Sequence, residues 1–98
     1  MNIFRWDNEK NNLLKSTRGV CFEQVVLIME KGDVLDTIEH PNQERYPGQK
    51  IAVLMIDTYV YLVPYVENNE EIFLKTIIPS RKATNNYVRE RNEKDNSG

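Results

Sequence analysis

The segment from His40 to Gly48 concentrates several chemically active side chains in a short loop. An imidazole, a carboxylate, a guanidinium and a phenol stand close together at His40, Glu44, Arg45 and Tyr46. His40 is the only histidine, and an imidazole exchanges protons near neutral pH. Glu44 is suited to act as a base or to orient Arg45, so the loop is a candidate for proton transfer. A surface turn with an ion pair explains the same residues.

A second candidate lies where a strand gives way to the last helix, between Lys75 and Thr84. Arg81 and Lys82 occupy the first turn of that helix, where positive charge opposes the helix dipole. The same helix start presents free N–H groups to an anion, and arginine grips a phosphate through two donors. Basic residues placed against the local preference therefore indicate a phosphate site.

Several other kinds of site are disfavoured by the sequence. It contains no GxGxxG, P-loop, GxSxG or HExxH motif. With one histidine and one cysteine, Cys21, a Cys/His metal centre is not expected, and the carboxylates form no convincing cluster. We therefore expect neither a metal nor a cofactor. The single cysteine also excludes a disulfide within the chain.

Charge is distributed unevenly along the 98 residues, although the net charge is only −2. Residues 1–18 carry four basic and two acidic side chains, for +2, and residues 72–98 carry six basic and three acidic ones, for +3. Residues 19–71 carry three basic and ten acidic side chains, for −7. The basic ends favour anion binding and the acidic middle fits a basic partner. Charges scattered over solvated faces are the alternative.

The length fits a single domain, with predicted bounds at residues 1–91 and a polar tail at 92–98. The first residues lack the apolar run of a signal peptide, and no apolar stretch reaches the roughly 18 residues of a membrane span. These observations predict a cytoplasmic protein without membrane contact.

Hydrophobic spacing and turn residues predict an α+β fold with two N-terminal helices, a four-stranded antiparallel meander sheet and a C-terminal helix. Asp7 is a good N-cap for the first helix and Gly19 ends it, while Ser80 caps the last helix. The predicted helices cover residues 8–17, 22–31 and 81–91, and the predicted strands cover 34–39, 51–56, 59–66 and 71–78. Because the helices stand at the two ends of the strand region, we expect them to cover one face of the sheet.

The last two predicted strands indicate an open face rich in aromatic residues. Alternation puts Tyr59, Tyr61 and Tyr65 on one side of their strand. If the fully apolar sides face the helices, these tyrosines share the open face with Phe73 and Lys75. Aromatic rings beside basic residues stack bases and hold phosphates. Cross-strand tyrosine pairs with wet hydroxyl tips explain the same pattern.

Two segments of the chain, one near each end, resemble motifs that occur together in a known family. The opening is similar at Phe4-Arg5-Trp6-Asp7, at Lys10 and at Arg18-Gly19-Val20-Cys21-Phe22-Glu23. The closing segment is similar at Ile78-Pro79-Ser80-Arg81-Lys82-Ala83-Thr84. The family is that of the BrnT-type toxins, and with the order of elements the resemblance covers nearly the whole chain up to Tyr87. Arg18 and Cys21 replace the histidine and serine usual in the family, as in a divergent subgroup.

The resemblance implies a fold similar to RelE-type toxins and a metal-independent endoribonuclease that a small antitoxin neutralises. In such an enzyme the 2′-hydroxyl attacks the neighbouring phosphorus, which requires a base, an acid and cations around the phosphorane. The residues expected in these roles are Arg81 and Arg45 as phosphate clamps, Lys75 as a helper, and His40 or Glu44 for protons. Those expected to bind RNA are Lys82, Lys10, Tyr61 and Tyr65, the tyrosines by stacking on bases.

The expected partners are RNA and a cognate antitoxin protein, with homo-oligomers forming through the antitoxin complex. A non-enzymatic module that binds protein or RNA through the same fold is the alternative function.

Overall fold

A computed structural model of the chain describes residues 3–96, with side chains through Arg89, as three helices and a six-stranded sheet. The helices are α1 (Asn8–Arg18), α2 (Phe22–Lys31) and α3 (Arg81–Asn96). The strands are β1 (Ile3–Arg5), β2 (Asp36–Glu39), β3 (Gln49–Ile56), β4 (Tyr59–Asn68), β5 (Glu71–Leu74) and β6 (Ile78–Pro79). The predicted α+β class is confirmed, and α3 extends past its predicted end at residue 91. No helix in the described part of the chain is long and apolar enough to cross a membrane.

The strands lie side by side in the order β1-β5-β4-β3-β2, and β6 pairs with β4 beyond the end of β5. Strands β2 to β5 form the predicted antiparallel meander. Strand β1, which the sequence did not predict, pairs in parallel with β5. The sheet is therefore mixed and six-stranded, and the prediction of a four-stranded antiparallel sheet is wrong. A three-residue strand is too short for alternation to reveal it.

Capping residues set the helix ends as predicted. The Asp7 carboxylate accepts a hydrogen bond from the Lys10 backbone N–H at 3.0 Å, and Gly19 adopts the left-handed conformation with φ 69°. At the start of α3, the Ser80 hydroxyl accepts a hydrogen bond from the Ala83 backbone N–H at 3.1 Å. These caps fix the points where α1 and α3 leave the sheet.

A buried asparagine joins α1 to α2. Asn11 is 4% exposed, and its side-chain carbonyl accepts a hydrogen bond from the Phe22 backbone N–H at 2.8 Å. Its amide donates to the Glu23 carboxylate at 2.7 Å, which, with Lys15 nearby, lowers the pKa of Glu23. The link fixes the position of α1, the helix that carries Lys10.

The tyrosines of β4 face α1 and α2, which is the reverse of the prediction. The register pairs Tyr65 with Leu74 and Tyr61 with Leu54, and both leucines lie in the core beneath these helices. Tyr65 is only 6% exposed. The tyrosine face is therefore the covered face, because large rings fill the space between the sheet and two helices.

Helix α3 packs on the opposite face of the sheet. The Thr84 hydroxyl accepts a hydrogen bond from the Val60 backbone N–H at 2.9 Å, and Val53 and Leu62 line the space beneath the helix. These β3 and β4 residues alternate with the ones that face α1 and α2. The prediction that all helices cover one face is wrong. The long apolar run of β3 fits a strand that is covered on both sides.

An extra residue separates β5 from β6 where both pair with β4. Leu74 pairs with Tyr65 and Ile78 pairs with Leu62, so residues 75–77 stand opposite only two residues of β4. This bulge reverses the alternation, since Ile77 is fully buried whereas Ile78 is 40% exposed. Alternation along the predicted strand 71–78 places Ile78 on the same face as Leu74 and Ile77 on the other, and the bulge makes both of these expectations wrong.

Arg18 stabilises the bulge. Its guanidinium donates a hydrogen bond to the Ile77 carbonyl at 2.6 Å, at the point where the ladder is interrupted. We expect Arg18→Met to lower the free energy of unfolding by about 1.5 kcal/mol, the lower end for hydrogen bonds to charged groups, because the side chain remains partly in water. Urea unfolding measures this loss. Lys31→Met, at the end of α2, is the matched control, and an equal loss there would contradict the assignment.

Candidate functional site

Two lysines from distant parts of the chain meet at one edge of the sheet. Lys10 of α1 and Lys75, which follows β5, line the same hollow of about 470 Å³. The other residues that line it are Asp7, Glu9, Leu13 and Phe73. We name this space the lysine hollow. Lys10 and Lys75 come from separate sequence segments, and the fold brings them together.

The pairing of β1 with β5 explains this meeting. Arg5, the last residue of β1, lies beside Phe73 in the parallel register, and α1 begins shortly afterwards at Asn8. Lys10 therefore stands in the first turn of a helix that starts next to the end of β5. Lys75 is the first residue after β5 and is exposed at the start of the bulge.

A second hollow adjoins the first. It has a volume of about 440 Å³, and its lining residues are Phe4, Arg5, Trp6, Asn8 and Phe73. We name it the tryptophan hollow, and we name the two together the Phe73 groove because Phe73 lines both. Phe73 is 40% exposed, so its ring offers an apolar surface between the two hollows.

The groove carries both signs of charge. The Asp7 carboxylate caps α1, and the Arg5 guanidinium pairs with the Glu71 carboxylate at 2.9 Å. The side chains of Glu9, Lys10 and Lys75 form no ion pair or hydrogen bond with the residues that the structure describes. They are available to a ligand, the ammonium groups for an anion and the carboxylate for a proton.

Ammonium groups beside an exposed aromatic ring suit a ligand that is both anionic and aromatic. Family models, curated proteins and solved structures give no match to this chain. Among the described residues, no three His, Cys, Asp or Glu side chains come together as metal ligands. The charged groups of the groove that have no described partner are the ammonium groups of Lys10 and Lys75 and the carboxylate of Glu9.

The loop from His40 to Gly48 is ordered by its own side chains. The Gln43 amide donates to the carbonyls of His40 and Gln49, at 2.8 and 3.2 Å, and accepts from the Gly48 backbone N–H at 3.1 Å. His40 Nδ1 accepts a hydrogen bond from the Asn42 backbone N–H at 3.0 Å, which assigns the proton of the neutral ring to Nε2. In this conformation His40 presents a donor rather than a basic nitrogen.

The other predicted residues of this loop lie outside the Phe73 groove. The Arg45 guanidinium is 5.6 Å from the centroid of the Tyr46 ring, which in turn is 4.4 Å from the His40 ring centroid. Glu44 is exposed. None of these four side chains lines either hollow of the groove. The predicted catalytic roles of His40, Glu44 and Arg45 stay predictions.

The two predicted phosphate clamps stand at different ends of the sheet. The loop that contains Arg45 leads into Gln49, whereas Arg81 follows a backbone hydrogen bond to the Val60 carbonyl. Val60 pairs with Met55, which is six residues from Gln49 along β3. At ~3.3 Å per residue, the two positions are about 20 Å apart. The fold does not bring Arg45 and Arg81 together.

Lys82 is also separate from the groove. It lines a cavity of about 260 Å³ between α3 and the sheet, together with Asp36, Ile38, Val53, Leu62, Ser80, Ala83, Asn86 and Tyr87. This cavity lies against the face opposite α1 and α2. Of the cations predicted to bind RNA or its phosphates, Lys10 and Lys75 line the Phe73 groove, whereas Arg45, Arg81 and Lys82 do not.

Tyr61 and Tyr65, predicted to stack on bases, belong to the core side of the sheet. Tyr61 is half-buried, with its ring centroid 5.7 Å from that of Tyr59. Burial raises the pKa of the Tyr65 hydroxyl, and the nearby Glu67 carboxylate adds to that rise. An exposed stacking surface at Tyr65 is therefore ruled out by its position.

The raised pKa of Tyr65 predicts a loss of stability in alkali. Above about pH 10 the unfolded chain gives up this proton before the folded chain does, so the free energy of unfolding falls as pH rises. In Tyr65→Phe we expect this part of the fall to vanish. Urea unfolding from about pH 8 to 11 measures it, with Tyr46→Phe as an exposed control. An unchanged alkaline fall in Tyr65→Phe would contradict the prediction.

Sequence reasoning missed half of the groove. Arg5, Trp6 and Asn8 belong to a motif and a helix start, and no pattern links them to β5 until β1 is known to pair there. The sequence did contain a signal for the other half, because alternation puts Phe73 and Lys75 on one side of their strand. The observed pairing of β5 with β4 follows this alternation as far as Leu74.

Proposed function

We propose that this chain binds single-stranded RNA in the Phe73 groove and cleaves it without a metal, as the toxin of a toxin–antitoxin pair. The observation that carries the proposal is the convergence of Lys10 and Lys75 on the exposed ring of Phe73. Single-stranded nucleic acids are held in this way, with cations on the phosphates and aromatic side chains stacked on bases.

The size and charge of the groove fit a short footprint. Two ammonium groups contact two phosphates at most, and Glu9 and Asp7 limit the positive potential around them. A net charge of −2 supports a small contact area rather than a long cationic track. Binding is therefore expected to involve few nucleotides and to weaken only moderately with added salt, because each phosphate contact contributes about 0.7 to the logarithmic slope.

The lysine hollow also contains the groups that metal-free cleavage requires. The Glu9 carboxylate accepts the proton of the 2′-hydroxyl as its oxygen attacks the adjacent phosphorus. The ammonium groups of Lys10 and Lys75 stabilise the negative charge of the phosphorane, and one of them donates a proton to the departing 5′-oxygen. The products are a 2′,3′-cyclic phosphate and a free 5′-hydroxyl.

The toxin assignment draws on the motifs at the two ends of the chain. These motifs resemble the BrnT-type family, whose members are neutralised by a small antitoxin. The charge of −7 across residues 19–71 supports a basic partner, since oppositely charged surfaces attract. The partner we propose is an antitoxin with a basic contact surface.

RNA binding without cleavage is the second candidate function. It is favoured by the position of His40, the only histidine, in a loop that does not contribute to the groove. A binding module of this kind protects or masks RNA and leaves its length unchanged.

Expression in a bacterial host tests these alternatives. The chain is expressed alone and with the gene adjacent to its own, and growth and the length of cellular RNA are followed. The toxin proposal predicts growth arrest with shortened RNA, relief by the adjacent gene, and loss of both effects in Lys75→Ala but not in Lys31→Ala. Intact RNA with tight RNA binding by the purified protein would favour the binding module, and absence of both would overturn the proposal.

A further inference from the structure

Strand β2 forms an edge of the sheet, and its outer side is unpaired within residues 3–96. It pairs only with β3, and all four of its residues are exposed. The His40 backbone N–H donates to the Gln49 carbonyl at 2.9 Å, which fixes the alternation along β2. The backbone groups of Thr37 and Glu39 therefore point away from β3. Asp36 Oδ1 accepts a hydrogen bond from the Thr37 N–H at 2.8 Å, whereas the Glu39 N–H has no partner among the described residues. Outward backbone groups of this kind are a template for a further strand.

The two faces of β2 differ in chemistry. Ile38 lies on the face toward α3, where it is 42% exposed and lines the cavity of about 260 Å³. The charged side chains of that cavity are Asp36 and Lys82, which are opposite in sign. Alternation places Glu39 on the other face, toward α1 and α2. One face of the edge is therefore apolar and without net charge, and the other carries a carboxylate.

The segment that contains β2 is acidic. Residues 33–44 contain four acidic side chains and no lysine or arginine. The acidic residues are Asp33, Asp36, Glu39 and Glu44. None of them forms an ion pair within the described part of the chain, and Lys50, beside Glu39 in the register, is paired with Glu67 at 4.0 Å instead. The edge therefore repels a nucleic acid or the β2 strand of a second copy and attracts a basic chain.

We propose that the outer edge of β2 binds an extended, basic segment of a protein partner, which joins the sheet as a further strand. Its apolar side chains pack over Ile38 and the cavity beneath α3, and its basic side chains alternate with them and lie beside Glu39. Main-chain hydrogen bonds to Thr37 and Glu39 set the register. The basic antitoxin proposed above fits this description. The inference does not depend on RNA cleavage, because β2 lies three strands from β5 and the Phe73 groove.

The probe is a peptide of about eight residues that alternates lysine and valine, and its control alternates glutamate and valine. Fluorescence anisotropy measures the dissociation constant of each labelled peptide for the purified chain. We expect the lysine peptide to bind about tenfold more tightly. Absence of binding by the lysine peptide, or equal affinity of the two peptides, would overturn the proposal.

N-methylated forms of the lysine peptide test for strand addition. One form carries N-methyl groups on its lysines and the other on its valines, because alternate N–H groups of a strand point to opposite edges. The form whose methyl groups face β2 is expected to lose about tenfold in affinity, and the other form is expected to bind as the parent peptide does. Undiminished affinity of both forms would mean charge attraction without strand addition and would overturn the proposal.

Ile38→Lys supplies the test on the protein itself. Lysine on an edge strand hinders the addition of a further strand, and here it also places a charge at the cavity. The lysine peptide is expected to bind this variant about tenfold more weakly. Leu27→Lys makes the same charge change at an exposed position of α2 and is expected to change affinity less than about twofold. Thermal unfolding checks that both variants fold, and equal losses in the two would contradict a site at β2.

Two further measurements separate this proposal from its alternatives. Sedimentation of the chain alone tests for a second copy at this edge, and self-association that Ile38→Lys abolishes would overturn the proposal. RNA affinity is measured with and without saturating lysine peptide, and we expect it to be unchanged because the two sites are apart. Failure of the chain to bind RNA would overturn the proposed function and leave the β2 site standing, whereas failure to bind the peptide would leave the Phe73 groove standing.

Discussion

Replacing Lys10 and Lys75 together with alanine is expected to weaken the binding of single-stranded RNA about 100-fold, since each lost phosphate contact costs about tenfold in affinity. Both lysines line the same hollow, and neither ammonium group is engaged with another described side chain. The salt dependence changes too, because each phosphate contact on a single strand contributes about 0.7 to the logarithmic slope. The slope is therefore expected to fall by about 1.4.

Fluorescence anisotropy at several salt concentrations measures both quantities. The control is the double variant Lys31→Ala/Arg89→Ala, which removes the same amount of charge from exposed positions that do not line the groove. If the control weakens binding as much as the lysine pair does, overall charge rather than the groove holds the RNA.

The second large effect is a contrast in stability and RNA affinity between variants of Tyr65 in β4 and Phe73 in β5. Tyr65→Ala is expected to lower the free energy of unfolding by about 3–4 kcal/mol, because it leaves a cavity among the core residues beneath α1 and α2. Phe73→Ala is expected to cost less than about 1 kcal/mol, because the ring is 40% exposed. RNA affinity is expected to respond in the opposite order, with about a tenfold loss in Phe73→Ala from the missing stacking surface.

Urea unfolding and RNA binding of the same two variants measure this contrast. Tyr65→Phe is the matched control for volume, since it keeps the buried ring. A stable Tyr65→Ala variant with impaired RNA binding would mean that this tyrosine, rather than Phe73, contacts the RNA.

Local signals in the sequence predicted the parts of the fold that depend on local chemistry. Asp7, Gly19 and Ser80 each end or begin a helix as expected, because a capping residue acts on backbone groups within a few positions. The meander from β3 to β5 was also predictable, since short turns bring these consecutive strands together.

The wrong predictions concern features that depend on distant parts of the chain. The face of Tyr65 is decided by which helix covers which side, and the alternation of β4 fits either choice equally well. Ile77 and Ile78 exchange their expected environments because a bulge, which leaves no pattern of its own in the sequence, shifts the phase. Strand β1 is too short to be recognised, and its parallel pairing links the two ends of the chain.

In the candidate site too, single residues could be predicted from the sequence, whereas their proximity could not. Lys10 and Lys75 were identified singly, from a motif and from a strand pattern, and their meeting follows from the unpredicted β1–β5 pair. The residues predicted to act together, Arg45 and Arg81, were grouped by type alone. Residue type indicates which groups suit a phosphate, but only topology decides which of them are neighbours.

The bulge between β5 and β6 contains one residue more than a regular ladder requires. Substitutions within it leave the count of residues intact, so Ile77 continues to point inward. Deleting one of residues 75–77 would leave two residues opposite two, so β5 and β6 would join into one regular ladder with the pairs Leu74–Tyr65 and Ile78–Leu62 retained and the start of α3 in place. Versions of this protein that diverge in sequence are therefore expected to tolerate the loss of one residue between Leu74 and Ile78, and the loop from His40 to Gly48 is expected to accommodate insertions.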